Sequence, residues 1–253
     1  MIVAVRTELF KLRTTRTTAG MLAAGVGLSG ATAAVKASRA GGSGHMAIGP
    51  LYTADGLTKI IASTDFALLL TLAFGVAVAA GEFRHQTATA TFLTQPARRR
   101  VLAAKLIAGA TVGLLFGLLG GLVTTAVGLG FVTAHGYHVA LGTGTIVRYI
   151  LGATLAGGLL AAVGVGVGSL IRTQLGAVIS VLCWGLFVEQ IIGSLFDWLA
   201  PYLPYTAATT LGGASPGSGI SPLPFAAAAL LVAAVALLVA SIAGRTTVAM
   251  DIT

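Results

Sequence analysis

A series of long apolar runs constrains this chain more than any other feature of its sequence. The longest run, Leu106–Ala134, holds 29 residues without a charged side chain. A helix of about 20 apolar residues is sufficient to cross the hydrocarbon core of a bilayer, which is about 30 Å thick. The sequence predicts an all-α polytopic membrane protein with six transmembrane helices, at residues 17–35, 60–81, 106–134, 147–171, 174–196 and 223–243.

The composition supports a bilayer rather than an aqueous environment. Of the 253 residues, 56% are hydrophobic and only 9% are charged, and the mean hydropathy is +0.96. Soluble domains have about 25% charged residues, and a soluble core of this length could not bury so much apolar surface. We therefore predict that residues 1–253 form a single transmembrane domain.

The positive charge of the chain is explained by membrane topology. The net charge is +8, but the basic residues lie mainly in 6–16 and 84–105, beside apolar runs and without interleaved aromatics, so no nucleic-acid partner is expected. If residues 1–16 are inside, eleven Lys and Arg residues lie on the cytoplasmic side and four on the other. This bias predicts a multi-pass cell-membrane protein of the inner-membrane type with both termini in the cytoplasm.

The first 16 residues have the pattern of an amphipathic helix at the membrane surface. Ile2, Val5, Leu9 and Leu12 recur at helical spacing. A cleavable signal peptide is the alternative interpretation of this basic start and the apolar residues after it. That interpretation is disfavoured because the apolar run is longer than the usual signal-peptide core of about 7 to 15 residues.

Three polar connections are predicted to be external loops: Lys36–Lys59, His135–Arg148 and Asp197–Pro222. The first lacks apolar periodicity. The third contains FDWLAPYLPY, which is typical either of a re-entrant or interfacial segment or of an aromatic belt formed by Trp198, Tyr202 and Tyr205.

Motifs for catalysis and cofactor binding are missing from the sequence. Cys183 is the only cysteine, so it cannot form an intrachain disulfide, and the pair His135 and His138 has no further metal ligand nearby. No GxxxxGK[ST] phosphate loop, GxSxG elbow or HExxH helix occurs. We expect a non-enzymatic chain that binds no cofactor itself.

Two carboxylates fall inside the predicted spans. Asp65 lies near the outer end of the second span, where its side chain is expected to reach the headgroups. Glu189 lies roughly 22 Å along the fifth span at 1.5 Å per residue. A charge at that depth is expensive, so Glu189 is predicted to face the bundle interior with Gln190 or Arg148 as its partner. Glu189 and Gln190 are therefore candidates for a gate or a cargo path.

Small residues recur at four-residue spacing in the third and fourth spans. They are Gly113, Gly117 and Gly121 in one span and Gly164 and Gly168 in the other. Such ridges let helix backbones approach closely, so they predict packing contacts rather than a pore lining.

Residues 82–105 form the longest polar segment on the predicted cytoplasmic side. From its composition alone, this segment is equally well a structured feature or a solvated loop whose arginines fix the topology.

Three motifs give the chain a resemblance to a known family. They are ELFKLRTTRTT at 8–18, GEFRHQTATATFLTQPARRRVLAAKL at 81–106 and LPYTAATTL at 203–211. With six spans in this order, the chain resembles the permease subunit of an ABC transporter of the type 2 exporter class.

The resemblance implies that residues 82–105 form a cytoplasmic coupling segment that docks on a separate ATP-binding subunit. The N-terminal helix would be a connecting helix that contributes to the same contact. The residues implicated are Glu8, Lys11, Arg13, Glu82, Phe83, Arg84, Thr87, Leu93, Pro96, Arg98 and Lys105. ATP and Mg would be bound by that partner, and a second permease subunit, identical or similar, would complete the transport path in the lipid bilayer.

Two other function classes remain as alternatives. A secondary transporter driven by an ion gradient normally uses several intramembrane ionisable groups, and only Glu189 is well placed. A membrane-embedded enzyme would need a nucleophile or metal constellation on facing helices, and the sequence contains none. An ABC exporter permease is the leading hypothesis, and its cargo is not indicated by the sequence.

Overall fold

The computed structural model describes residues 1–42, 48–84, 98–171, 173–217 and 219–249, with side chains omitted at 82–84, 98–99 and 246–249. Within these ranges the chain is helical and has no β-strand. The α-helices are α1 (Ile2–Thr14), α2 (Arg16–Ser38), α3 (Ala54–Ile61), α4 (Asp65–Arg84), α5 (Arg98–Ala134), α6 (Thr143–Leu170), α7 (Gln174–Cys183), α8 (Glu189–Leu195), α9 (Pro204–Leu211) and α10 (Phe225–Ala249). A π-helical turn, Trp184–Val188, joins α7 to α8, and a 3₁₀ turn, Ala200–Tyr202, precedes α9.

Six helical stretches in the described part of the chain are long and apolar enough to cross a membrane. They are Arg16–Ser38, Ala54–Gly81, Arg100–Ala134, Thr143–Leu170, Gln174–Leu195 and Phe225–Arg245. The prediction of an all-α, polytopic fold with six spans is confirmed. The chain is therefore described as a multi-pass membrane protein.

Helix α6 is the centre of the bundle and packs against α4, α5 and α10. Its glycines allow this close packing. A Cβ added at Gly164 would overlap the carbonyl of Leu72 on α4, and one added at Gly117 of α5 would overlap the carbonyl of Ala153 on α6. Gly113 and Gly168 are similarly crowded, whereas Gly121 leaves room for ordinary contact. The small-residue ridges are packing contacts, as predicted.

The prediction for residues 36–59 is wrong at its end, because residues 54–61 form helix α3. The Thr53 side chain accepts a hydrogen bond from the Gly56 amide at 3.1 Å and caps this helix. Leu57, Ile60 and Ile61 follow at helical spacing and are buried. The predicted second span, 60–81, lies within the apolar stretch Ala54–Gly81 and contains the end of α3, a break at residues 62–64 and most of α4.

Residues 197–222 also contain more structure than the predicted external loop. Helix α9 lies within this range and buries Tyr205, Ala207, Ala208 and Leu211 against the bundle. Trp198 and Tyr202 are exposed, whereas Tyr205 is only 6% exposed, so Tyr205 does not belong to an aromatic belt. The prolines that indicated a loop instead place the start of a helix, because Pro204 stands at its first position.

The predicted segment 82–105 is helical at both of its described ends. Helix α4 continues through Arg84, and α5 begins at Arg98, eight residues before the predicted third span. We call the end of the bundle with α1 and the start of α5 the basal end. The opposite end, with α3 and α9, is the distal end.

Candidate functional site

The break between α3 and α4 is held by hydroxyl groups from neighbouring helices. Thr124 of α5 donates a hydrogen bond to the Ile61 carbonyl at 2.8 Å. Ser29 of α2 accepts one from the Ala67 amide at 2.9 Å. These bonds satisfy backbone groups that a helix end leaves without intrahelical partners, which matters most where water is scarce. The break thus places the Asp65 carboxylate in the first turn of α4 at a fixed position.

Glu189 lies at the distal end, where its carboxylate accepts four hydrogen bonds. Its side chain is buried, with 1% of the residue exposed. One carboxylate oxygen accepts hydrogen bonds from the Trp184 indole at 2.6 Å and the Tyr205 amide at 2.9 Å. The other accepts from the Thr206 amide at 2.8 Å and the Thr206 hydroxyl at 3.0 Å. Four donors converge on one carboxylate, as its acceptor capacity allows.

This geometry makes Glu189 a cap supplied to α9 by the fifth span. Pro204 has no amide hydrogen, so the first free donors of α9 are the amides of Tyr205 and Thr206, both bound by Glu189. A negative charge at a helix N-terminus is also favoured by the helix dipole. The π-helical turn ends immediately before Glu189, and it changes the register of the fifth span at this point.

The predicted partners of Glu189 are wrong. Gln190 is exposed and faces the neighbouring cavity, and the Arg148 guanidinium lies 5.6 Å from the ring centre of Phe225. The prediction that Glu189 faces the protein interior is correct. The sequence did not identify its actual partners because they lie 5 residues before it and 16 and 17 residues after it. The N-terminal proline of α9 was the only local signal for them.

A cavity of about 950 Å³ lies beside this cap at the distal end. Tyr205, Thr206 and Thr209 of α9 line one side, and Gln190 and Leu186 of the fifth span line another. The opposite wall carries four charged residues, Lys36, Asp55, Lys59 and Asp65. Asp65, which is predicted to reach the headgroups, is half-buried in the wall of this cavity.

Tyr205 connects the two walls. Its amide is bound by Glu189, and its hydroxyl donates a hydrogen bond to the Asp65 carbonyl at 2.8 Å. The start of α9 is therefore attached both to the fifth span and to the start of α4. A displacement of either span would be transmitted to this cavity wall.

At the basal end, the structure brings together three of the residues predicted to couple to a partner, Glu8, Lys11 and Lys105. The Lys105 ammonium lies 3.4 Å from one Glu8 oxygen, and the Lys11 ammonium lies 2.7 Å from the other. Glu8 and Lys105 are each 6% exposed. This pair attaches α1 to the start of α5, so these two side chains are directed at each other rather than outward.

The other predicted coupling residues are less fully described. Arg13 is exposed on α1. Glu82, Phe83 and Arg84 lie in the last turn of α4 and Arg98 is the first residue of α5, with only their backbone described. Thr87, Leu93 and Pro96 lie outside the described residues.

Among the described residues, no group of three or more His, Cys, Asp or Glu side chains is arranged to hold a metal ion. No protein-family model matches the chain, and no curated protein matches its sequence.

Proposed function

We propose that this chain is the permease subunit of an ATP-driven exporter of the ABC type 2 class, working with a separate ATP-binding subunit. The observation that carries the proposal is the buried Glu8–Lys105 contact at the basal end. It fixes the N-terminal helix beside the segment 82–105, the two parts of the chain that the family resemblance assigns to the ATPase contact. Two permease subunits, identical or similar, would enclose the path.

The helix arrangement supports a mechanical role for this basal surface. Helices α4 and α5 form the two described ends of the segment 82–105, and α4 extends 20 residues from Arg84 to Asp65. At 1.5 Å per residue, α4 spans about 30 Å, from the basal end to the distal cavity. ATP-driven closure of the partner would push on the base of α4 and α5 and shift the bundle between two packings. ATP and Mg would act on the partner, and the basal end would face the cytoplasm, as the Lys and Arg bias predicts.

An ion-gradient-driven secondary transporter is a second candidate, favoured by the break between α3 and α4. Such transporters often use interrupted helices near their binding sites. The Glu189 contacts weigh against it, because three of the four donors around this carboxylate belong to α9 and the fourth is the Trp184 indole, so the carboxylate is occupied in holding α9. We therefore place this candidate second.

Affinity purification from mild detergent, followed by an ATPase assay, tests the proposal. We expect a stoichiometric nucleotide-binding subunit to copurify with the tagged chain. Replacing Glu82 and Arg84 by alanine should remove the stimulation of its ATPase activity, because both residues lie where α4 leaves the bundle toward the predicted contact. Membrane insertion of the variant should remain unchanged.

A matched control removes one acidic and one basic residue from the opposite end of the molecule. Asp197→Ala with Arg148→Ala changes exposed distal residues and should leave the stimulation intact. Equal stimulation by the wild type and the Glu82 and Arg84 variant would reject the coupling assignment. A pure preparation without any ATPase would favour the ion-coupled alternative.

A further inference from the structure

The distal cavity contains two charged groups that do not pair with each other. The Asp55 carboxylate and the Lys59 ammonium form an exposed ion pair at 2.7 Å on α3, so their charges are mutually compensated. Lys36 and Asp65 are half-buried in the same cavity wall, and their charges attract each other across it without a direct ion pair between them. Both groups can therefore still contact a ligand that lies between them.

Helix ends hold these two charges in place. Lys36 lies in the last turn of α2, and Asp65 lies in the first turn of α4. A cation is favoured at a helix C-terminus and an anion at an N-terminus, so the helix ends help to stabilise both charges at this wall. In the described part of the chain, the Lys36 ammonium donates one long hydrogen bond, 3.4 Å to the Lys59 carbonyl, which leaves donor capacity for a ligand.

The remainder of the cavity limits the ligand class. Leu186, Ile48 and Ala62 supply apolar wall, while Gln190, Thr206 and Thr209 supply neutral polar groups. The four charged lining residues sum to zero, so the wall does not favour a simple cation or a simple anion. The volume of about 950 Å³ lies at the upper end of the range of small-molecule sites, which allows a ligand of several residues.

We propose that the distal cavity binds a short zwitterionic peptide, with its ammonium group at Asp65 and its carboxylate at Lys36. This inference deepens the proposed function, because such a peptide would be the cargo at the distal end of the path. Peptide binding depends on the proposed exporter function only for the direction in which the peptide would be moved. Binding to the isolated permease is measured without the ATPase, so a failure of one proposal is distinguishable from a failure of the other.

The test is a calorimetric titration of the purified full chain in phosphatidylglycerol nanodiscs. The probes are trileucine with free termini, its N-acetylated form and its C-amidated form. We expect the free peptide to bind at least about tenfold more tightly than either blocked peptide, since each block removes one charge-assisted contact. Equal affinities for the three peptides, or no binding of any of them, would overturn the proposal.

Two variants test the assignment of each charge. Asp65→Asn should abolish the preference for the free over the acetylated peptide and retain the preference over the amidated one. Lys36→Gln should give the opposite pattern. The matched control Asp55→Asn removes a carboxylate from the compensated pair and should preserve both preferences. Loss of both preferences in both variants would indicate a general structural effect and reject the assignment.

A lipid arm distinguishes the peptide from a headgroup with the same charges. The titration is repeated with phosphatidylethanolamine added to the nanodiscs. Unchanged peptide affinity supports a peptide site. Competition that disappears in Asp65→Asn would reassign the cavity to a zwitterionic lipid headgroup.

Discussion

Glu189 is a buried carboxylate, and the hydrogen-bond donors around it offset the free-energy cost of removing its charge from water. An isolated charge at this depth would be strongly unfavourable, but two backbone amides, an indole and a hydroxyl surround it. The same contacts satisfy the N-terminus of α9. Glu189 is thus a positioning residue for the cavity wall. We propose Asp65 and Lys36, rather than Glu189, as the residues that contact cargo.

Replacing Glu189 by Gln should loosen α9. The amide NH₂ would face at least one of the present donors, and each buried donor left without an acceptor costs about 1–3 kcal/mol. We expect a lower melting temperature and faster maleimide labelling of a cysteine placed at Thr209, a position that is 7% exposed, in a Cys183→Ser background. Gln190→Ala, at the exposed neighbouring position, is the control and should behave like the parent protein. Unaltered labelling in Glu189→Gln would show that α9 is held by its other contacts.

At the scale of helices, the close packing of α5 on α6 depends on glycines, which have no side chain. A Cβ at Gly117 would overlap the Ala153 backbone, so Gly117→Ala must separate the two helices. We expect a destabilisation of about 1–3 kcal/mol, the usual cost of overpacking a tight contact. Thermal unfolding in detergent, followed by size-exclusion chromatography, would measure it.

Gly130 provides the matched control on the same helix. A Cβ there would meet no atom within 4 Å, so Gly130→Ala should be neutral or slightly stabilising through its better helix propensity. Similar melting temperatures for both variants would contradict the role assigned to the glycine ridge.

The helices also show which structural features could be predicted from the sequence. Long uncharged runs identified six spans because only length and apolarity are needed to recognise them. Helix α3 was missed although Leu57, Ile60 and Ile61 have helical spacing, because the glycine- and serine-rich stretch before them dominated the prediction. The contacts of Glu189 and of Thr124 could not be predicted, since they join residues far apart in sequence.

For the whole molecule, the structure connects two sites at opposite ends of one bundle. The Glu8–Lys105 contact holds α1 at the basal end, and Tyr205 joins the fifth span to the start of α4 at the distal end. Helix α4 runs between them and packs closely on α6 through Gly75 and Gly164. A push at the base would therefore be transmitted along α4 to Asp65 and, through the Tyr205 hydrogen bond, to the start of α9.

The proposed contact with an ATP-binding subunit requires the basal end to face the cytoplasm, and cysteine labelling tests that orientation. In a Cys183→Ser background, single cysteines are placed at Arg13 on α1 and at Tyr137 in the connection after α5, both exposed positions at opposite ends. The Lys and Arg bias predicts that a membrane-impermeant maleimide labels the Tyr137 position in intact cells and the Arg13 position only after lysis. The reverse pattern would place the predicted coupling surface outside, where no ATP-binding partner could reach it, and would reject the exporter proposal. Labelling of both positions from outside would contradict an odd number of crossings between α1 and this connection.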